Sequence, residues 1–279
     1  MPGGGTLLLG ARTLVMGILN VTPDSFAGGG APRDTHSAVR DGLRMVEEGA
    51  DILDVGGEST RPGATPVSAD EELRRVMPVI EGLRSRTATP LSIDTYKAVV
   101  ADRALEAGAE IVNDVSGLTY DTGLGAVIAR RGAAAVLMHT RGRSTEMYSR
   151  AQYGSIGADV ARELGEVLAR AAAAGIPAGQ VVLDPGFGFA KRAPQTFRLL
   201  ADLSPIRALG RPLLVGPSRK SFLKLALGDV APEGRLWGTA AAVTASVLGG
   251  AHIVRVHDIA EMRQVVKVAD AILDNLSNQ

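Results

Sequence analysis

Polar side chains recur in this sequence immediately after short apolar, β-branched runs. The run TLVMGILN (13–20) ends on Asn20, and DILDVGG (51–57) passes straight into the hydroxyl-rich ESTRPGA. PLSIDT (90–95) carries Asp94, EIVNDVS (110–116) carries Asn113 and Asp114, and AAVLMHT (134–140) reaches Met138 and His139. VVLDPG (181–186) carries Asp184, PLLVGPS (212–218) leads into Arg219, Lys220 and Ser221, and HIVRVHD (252–258) holds Arg255 and His257. Arg255 and His257 are two apart and so share one face of a strand. Aimed at one spot they make an anion-binding pair, and they equally suit an ion pair with a neighbouring carboxylate. Asn113 and Asp114 are adjacent, so only one of them can face a common pocket.

A polar residue where a strand becomes a loop is commonly a turn former or a helix cap. Its repetition at nearly every strand end calls for a different account. In LSIDT and VVLDPG the carboxylate directly follows the strand hydrophobics, and a buried carboxylate requires donors nearby. GPSRKS offers a backbone turn with two cations and two hydroxyls, fit for an anion or for a solvated basic turn. The glycines of DSFAGGG and GGESTRPGA suit loops that close over a substrate. No HExxH pairing or clustered zinc-ligand pattern occurs, and GFGF lacks the spacing of a dinucleotide loop.

The elements that position these residues alternate along the whole chain. Eight short apolar runs have the continuous hydrophobicity of strands buried on both faces of a parallel sheet. Between them lie segments of helical period. Leu73, Val76, Met77, Ile80 and Leu83 form one stripe, with Ser68 and Glu71 spaced as a capping box. Val160, Leu164, Val167, Leu168 and Ala171 form another, closed by Gly175. Ile259, Met262, Val265, Val266, Ala269 and Ile272 form a third, and Gly49 and Gly108 close two more helices. Eight strand–helix units predict a single-domain (β/α)8 barrel over residues 1–279, with 1–12 a short lead-in strand; an open doubly wound sheet is the competing architecture. In a barrel the strand ends meet at one rim, where the active sites of such folds lie.

Composition narrows the function. Lys plus Arg equals Asp plus Glu, 30 each, so no global field draws the chain to nucleic acid or an acidic membrane. The absence of cysteine removes disulfides and thiolate nucleophiles and fits the cytoplasm. MPGGGTLLLG has neither the basic region of a secretory signal nor the length of a membrane span.

The motifs GILNVTPDSF, DVGGESTRPGA, SIDTYK, VNDVSG, LMHT, LDPGFGFAK, VGPSRKSF and IVRVHD, in this order over residues 14 to about 270, resemble bacterial dihydropteroate synthases. The resemblance implies a TIM barrel, usually a homodimer. It also implies a Mg²⁺-dependent condensation of 6-hydroxymethyl-7,8-dihydropterin diphosphate with 4-aminobenzoate, open to competition by sulfonamides. On the matching positions it implies that Asp94, Asn113, Asp184 and Lys220 hold the pterin. Arg255 would lie along the pterin face and, with His257 and Asn20, meet the diphosphate, Asn20 also ligating Mg²⁺. Phe26, Thr60, Arg61, Pro62 and Ser221 would shape the aminobenzoate site, with Thr60 also contacting the diphosphate substrate. The chain departs from the family's common DSFSDGG by reading DSFAGGG, so Ala27 and Gly28 replace a serine and an aspartate. Complete STRPGA and SRKS motifs distinguish it from corrinoid-linked methyltransferases that share the barrel. Gly28 alone speaks for a homologue that binds without catalysing.

Overall fold

The computed structural model describes residues 5–22, 34–61 and 63–277. The first half runs β1 (Leu14–Asn20), α1 (Thr35–Glu47), β2 (Ile52–Gly56), α2 (Ala69–Arg84), β3 (Leu91–Asp94), α3 (Ala98–Glu106), β4 (Ile111–Asp114) and α4 (Leu124–Arg131). The second runs β5 (Ala134–Met138), α5 (Ile156–Ala173), β6 (Val181–Asp184), α6 (Ala193–Ala201), the short α7 (Ser204–Arg207) and β7 (Leu214–Val215). It ends with the short α8 (Lys224–Leu227), α9 (Leu236–Leu248), β8 (Ile253–Val256) and α10 (Ile259–Ser277). All strand pairs are parallel, in the order β6-β5-β4-β3-β2-β1-β8-β7. A bridge between Leu183 and Leu213 joins the two ends and closes the (β/α)8 barrel.

Strand alternation sorts the hydrophobics into two cores. Val15, Leu19, Leu53, Val55, Ile93, Val112, Leu137 and Leu183 face outward against the helices. Leu14, Met16, Ile52, Ile111, Val136, Leu214 and Ile253 fill the lower interior of the barrel. Leu7 and Leu9 of the lead-in pack beneath this inner cluster. Residues 5–13 thus cover the lower end of the barrel, but without the expected strand, because β1 already pairs on both edges with β2 and β8. Beside them an apolar cavity of about 260 Å³ remains, walled by Leu7, Met16, Ile111 and Val136.

The helix signals hold in outline. Ser68 caps α2 by accepting from Glu71 N at 3.2 Å, yet the Glu71 carboxylate turns to Arg74 and Arg75 instead of completing a capping box. Leu73, Met77, Leu168 and Val265 of the predicted stripes are half-buried against the core, and Ile272 of α10 is exposed. Gly49, Gly108 and Gly175 all adopt the positive φ expected after a helix.

Candidate active site

The register sets one layer of the site. Asn20 pairs with Gly56, Gly56 with Asp94, and Asp94 with Asn113, so these positions stand at one level on four adjacent strands. A methyl group added at Gly56 would meet Asp94 Oδ2 at 3.6 Å and Asn20 Oδ1 at 3.7 Å, so the three share one wall. Asn20 therefore faces the barrel interior. Asp54 lies one layer below on β2, fully buried.

Asp54 escaped the sequence reading, although a carboxylate between Leu53 and Val55 inside an apolar run was its signal. It is the hub of the polar interior. Its Oδ2 accepts from Arg255 Nε at 2.6 Å and from Asn113 Nδ2 at 2.9 Å, while its buried Oδ1 has no partner among the described residues. Arg255 Nη2 donates to Asp94 Oδ2 at 2.8 Å, so one guanidinium serves two carboxylates. Arg255 thus makes the ion pair with barrel carboxylates that its position on β8 allowed. Burial opposes its charge, but Asp54 and Asp94 hold its pKa above the ordinary value. Burial pushes Asp94 up to about 7, with Arg255 opposing and the neighbouring Asp54 adding to the rise.

The opposite wall comes from β6 and the turn after β7. Asp184 Oδ1 accepts from Gly186 N at 2.7 Å, and burial raises its pKa against the pull of Lys220. Lys220 Nζ donates to the Phe187 carbonyl at 2.7 Å and lies 4.6 Å from the centre of the Phe189 ring. Burial brings Lys220 down to about 8. His257 Nδ1 sits 2.9 Å from Ser218 Oγ. Burial, with Arg255 and Arg219 nearby, lowers His257 to about 3. Burial, reinforced by these two cations, therefore keeps the His257 imidazole neutral at pH 7.

Two strand-end residues are structural. Asp114 accepts from Ser116 N and Leu118 N, capping the turn that follows β4, whereas its neighbour Asn113 faces the interior. His139 is buried between Glu163 on Nε2 and Lys191 on Nδ1.

The loop after β2 is held by charges that the sequence did not advertise. Lys97 bridges Glu58 and Glu72, and Tyr96 Oη donates to Glu58 Oε1 at 2.8 Å. Gly63 N donates to Ser144 O at 3.2 Å, and Ser144 Oγ donates to Ala64 O at 3.1 Å. Thr60 thereby lines a rim pocket with Tyr96, Val115, Tyr120, Arg143 and Phe189. Arg61 lies near enough to His257 to act on its charge, and Ser221 is exposed at the rim. Phe26 and Pro62 lie outside the described residues.

Asn20 Oδ1 is a hard oxygen on the wall of the cavity, and among the described residues nothing donates to it. Among those residues no cluster of three His, Asp or Glu side chains could cage a metal. A single amide oxygen suits Mg²⁺, which takes one or two protein ligands and completes its shell with phosphate and water.

Eight parallel strands around a buried band of carboxylates, amides and cations, open at their C-terminal ends, define an α/β-barrel enzyme. Residues 16–257 match the model of the pterin binding enzyme family. The dihydropteroate synthase of Synechocystis is 47% identical over 98% of this chain and 94% of its own, and that of Bacillus subtilis 43% over 94% and 90%. The chain belongs to the dihydropteroate synthase family. Among solved structures, the Yersinia pestis dihydropteroate synthase in a sulfonamide drug complex superposes with a TM-score of 0.93 at 41% identity, covering 98% of both chains. The Xanthomonas albilineans enzyme with 4-aminobenzoic acid gives 0.88 at 44%, covering 94% of both chains.

Proposed function

We propose that this protein condenses 6-hydroxymethyl-7,8-dihydropterin diphosphate with 4-aminobenzoate, giving 7,8-dihydropteroate and diphosphate. The observation that carries this reading is the interior band of Asp54, Asp94, Asn113 and Asp184, served by Arg255 and Lys220. A reduced pterin presents an amino-pyrimidinone edge rich in N–H donors. Buried carboxylates accept from such donors in charge-assisted bonds of about 1.5–3 kcal/mol each. The unpartnered Asp54 Oδ1 and the raised pKa of Asp184 mark acceptors still short of donors. A related enzyme from Xanthomonas albilineans is known in complex with 7,8-dihydropteroate, at 41% identity and a TM-score of 0.85.

The reaction breaks the bond between the pterin methylene carbon and the diphosphate oxygen, whose electron pair leaves with the diphosphate. The amine lone pair then forms the C–N bond, and the resulting ammonium loses one proton. An aromatic amine is a weak nucleophile, which favours a dissociative order with diphosphate leaving first. Arg255 along the pterin face and the rim around Arg61 and His257 oppose the charge that develops on the leaving oxygen. A neutral His257 donates one hydrogen bond to that oxygen. The loops after β1 and β2, bearing Phe26, Thr60, Arg61 and Pro62, with Ser221 across the rim, receive the aminobenzoate and keep water from the cation. Asn20 would hold Mg²⁺, which supplies charge neutralisation on the diphosphate when bound.

A cytoplasmic homodimer belongs to the same reading. Trp237, Ala241, Ala245 and Leu248 form an exposed stripe on α9, and Val268, Ile272 and Leu276 form one on the adjoining α10. Two apolar stripes on packed neighbours suit a second copy of the chain. The test mixes the protein with both substrates and Mg²⁺ and follows both products. Equal yields of diphosphate and dihydropteroate support the synthase. Diphosphate alone would locate a defect at Ala27 and Gly28, and neither product would leave only a binding protein.

A further inference from the structure

Lys220 is delivered to the site by a strained turn. Arg219, the residue before it, has φ +56°, in the left-handed region that side-chain-bearing residues rarely adopt. Such a conformation persists only when the surroundings hold it. Here both backbone polar groups of Arg219 are taken by side chains from the entry to α9. Its N–H donates to Thr239 Oγ1 at 2.9 Å, and its carbonyl accepts from Arg235 Nη1 at 2.7 Å. Thr239 and Arg235 are four residues apart and both are buried. Arg235 is itself fixed, its Nε donating to Val230 O at 2.9 Å. The Arg219 side chain turns the other way, to Asp258, with Nε 3.0 Å from Oδ2. The next residue then enters the barrel, where Lys220 Nζ reaches the Phe187 carbonyl.

We infer that Thr239 and Arg235 are positioning residues of this enzyme, a two-point clamp that holds Arg219 left-handed so that Lys220 points at the pterin. Neither side chain lines the rim pocket. The inference rests on the proposed pterin role of Lys220. Without the clamp the turn relaxes toward right-handed φ, which rotates the following peptide and withdraws the ammonium from its position opposite Asp184.

The test is Thr239→Val, which keeps shape and removes the hydroxyl, with Thr239→Ser as the rescue. For Thr239→Val the KM for dihydropterin diphosphate is expected to rise about tenfold, as the turn relaxes to satisfy the freed N–H and draws Lys220 back. The KM for 4-aminobenzoate and the melting temperature should stay near those of the parent, and Thr239→Ser should restore the pterin KM. An unchanged pterin KM in Thr239→Val overturns the inference, as does an equal loss in both variants, which would assign the effect to packing. If Thr239→Val does not fold, Arg235→Lys asks the same question from the carbonyl side, with the same expected rise and the same refutation. Lys220→Ala must raise the pterin KM further. A parental value there would refute the role of Lys220 itself and the clamp with it, whereas a raised value beside an unchanged Thr239→Val would refute the clamp alone.

Discussion

Asp54→Asn tests the charge balance at the heart of the barrel. In the parent, Arg255 bridges Asp54 and Asp94, and burial with the adjacent carboxylate raises Asp94 to about 7. A carboxylate whose folded pKa lies above its unfolded value binds more protons when folded. Stability therefore falls as pH rises from the ordinary 3.8 toward 7. Ionising this one group in the fold therefore lowers stability relative to its protonated state. Replacing Asp54 with Asn keeps the shape and removes the repelling charge. Arg255 then serves Asp94 alone, and the Asp94 pKa should fall by about 1–2 units. The variant also loses a charge-assisted bond, so at pH 5 it should be less stable by about 1.5–3 kcal/mol. Between pH 5 and 8 that deficit should shrink by about the same amount, because the variant no longer bears the full cost of ionising Asp94. Urea midpoints of both proteins across this range give the answer as a double difference. The contributions of Asp114, Asp184 and Glu72, also raised by burial, are common to both and cancel to first order. A deficit independent of pH would show that Asp54 and Asp94 do not share a charge, and the account of the site would fall with it.

Asp184→Ala should weaken pterin binding about 10- to 100-fold, by leaving pterin donors unpaired; unchanged affinity by calorimetry would remove Asp184 from the site. Lys220 has its pKa lowered to about 8, so its charge is present below that pH and lost above it. Pterin affinity should therefore decline above pH 8, and Lys220→Arg should carry the plateau to higher pH; a flat profile through pH 9.5 would contradict the ammonium. Gly186 and Gly132 have nearly equal φ, +67° and +65°, but a Cβ at Gly186 would lie 2.2 Å from the His139 carbonyl, whereas nothing lies within 4 Å at Gly132. Gly132→Ala should cost about 1 kcal/mol, and Gly186→Ala should displace the loop and abolish pterin binding; similar melting temperatures and affinities for the two would refute the close approach.

The fold was legible because each strand had to be buried on both faces. The eight apolar runs and intervening helical stripes are local patterns, and local patterns survive without knowledge of partners. Their ends were less legible: the 212–218 run yields only Leu214–Val215 as regular strand, since the turn toward Arg219 begins early. Ile272 was misassigned because a helical stripe cannot tell the protein's own core from a face left open. The residues Asn20, Asp94, Asn113, Asp184, Lys220 and Arg255 of the candidate site were marked by polarity at the end of an apolar run. Asp54 carried the same mark one residue deeper, hidden among stronger neighbours.

By itself the sequence determined the order of elements, the rim on which chemistry gathers and the family to which its motifs belong. Each of these rests on residue type and spacing along the chain. Only the tertiary structure decided which charges meet. Arg255 and Asp54 are 201 residues apart in sequence and hydrogen-bonded at 2.6 Å, a pairing that barrel closure creates and no spacing encodes. The same closure makes His257 neutral, because a pKa is fixed by the charges and solvent around a group and not by its neighbours in sequence.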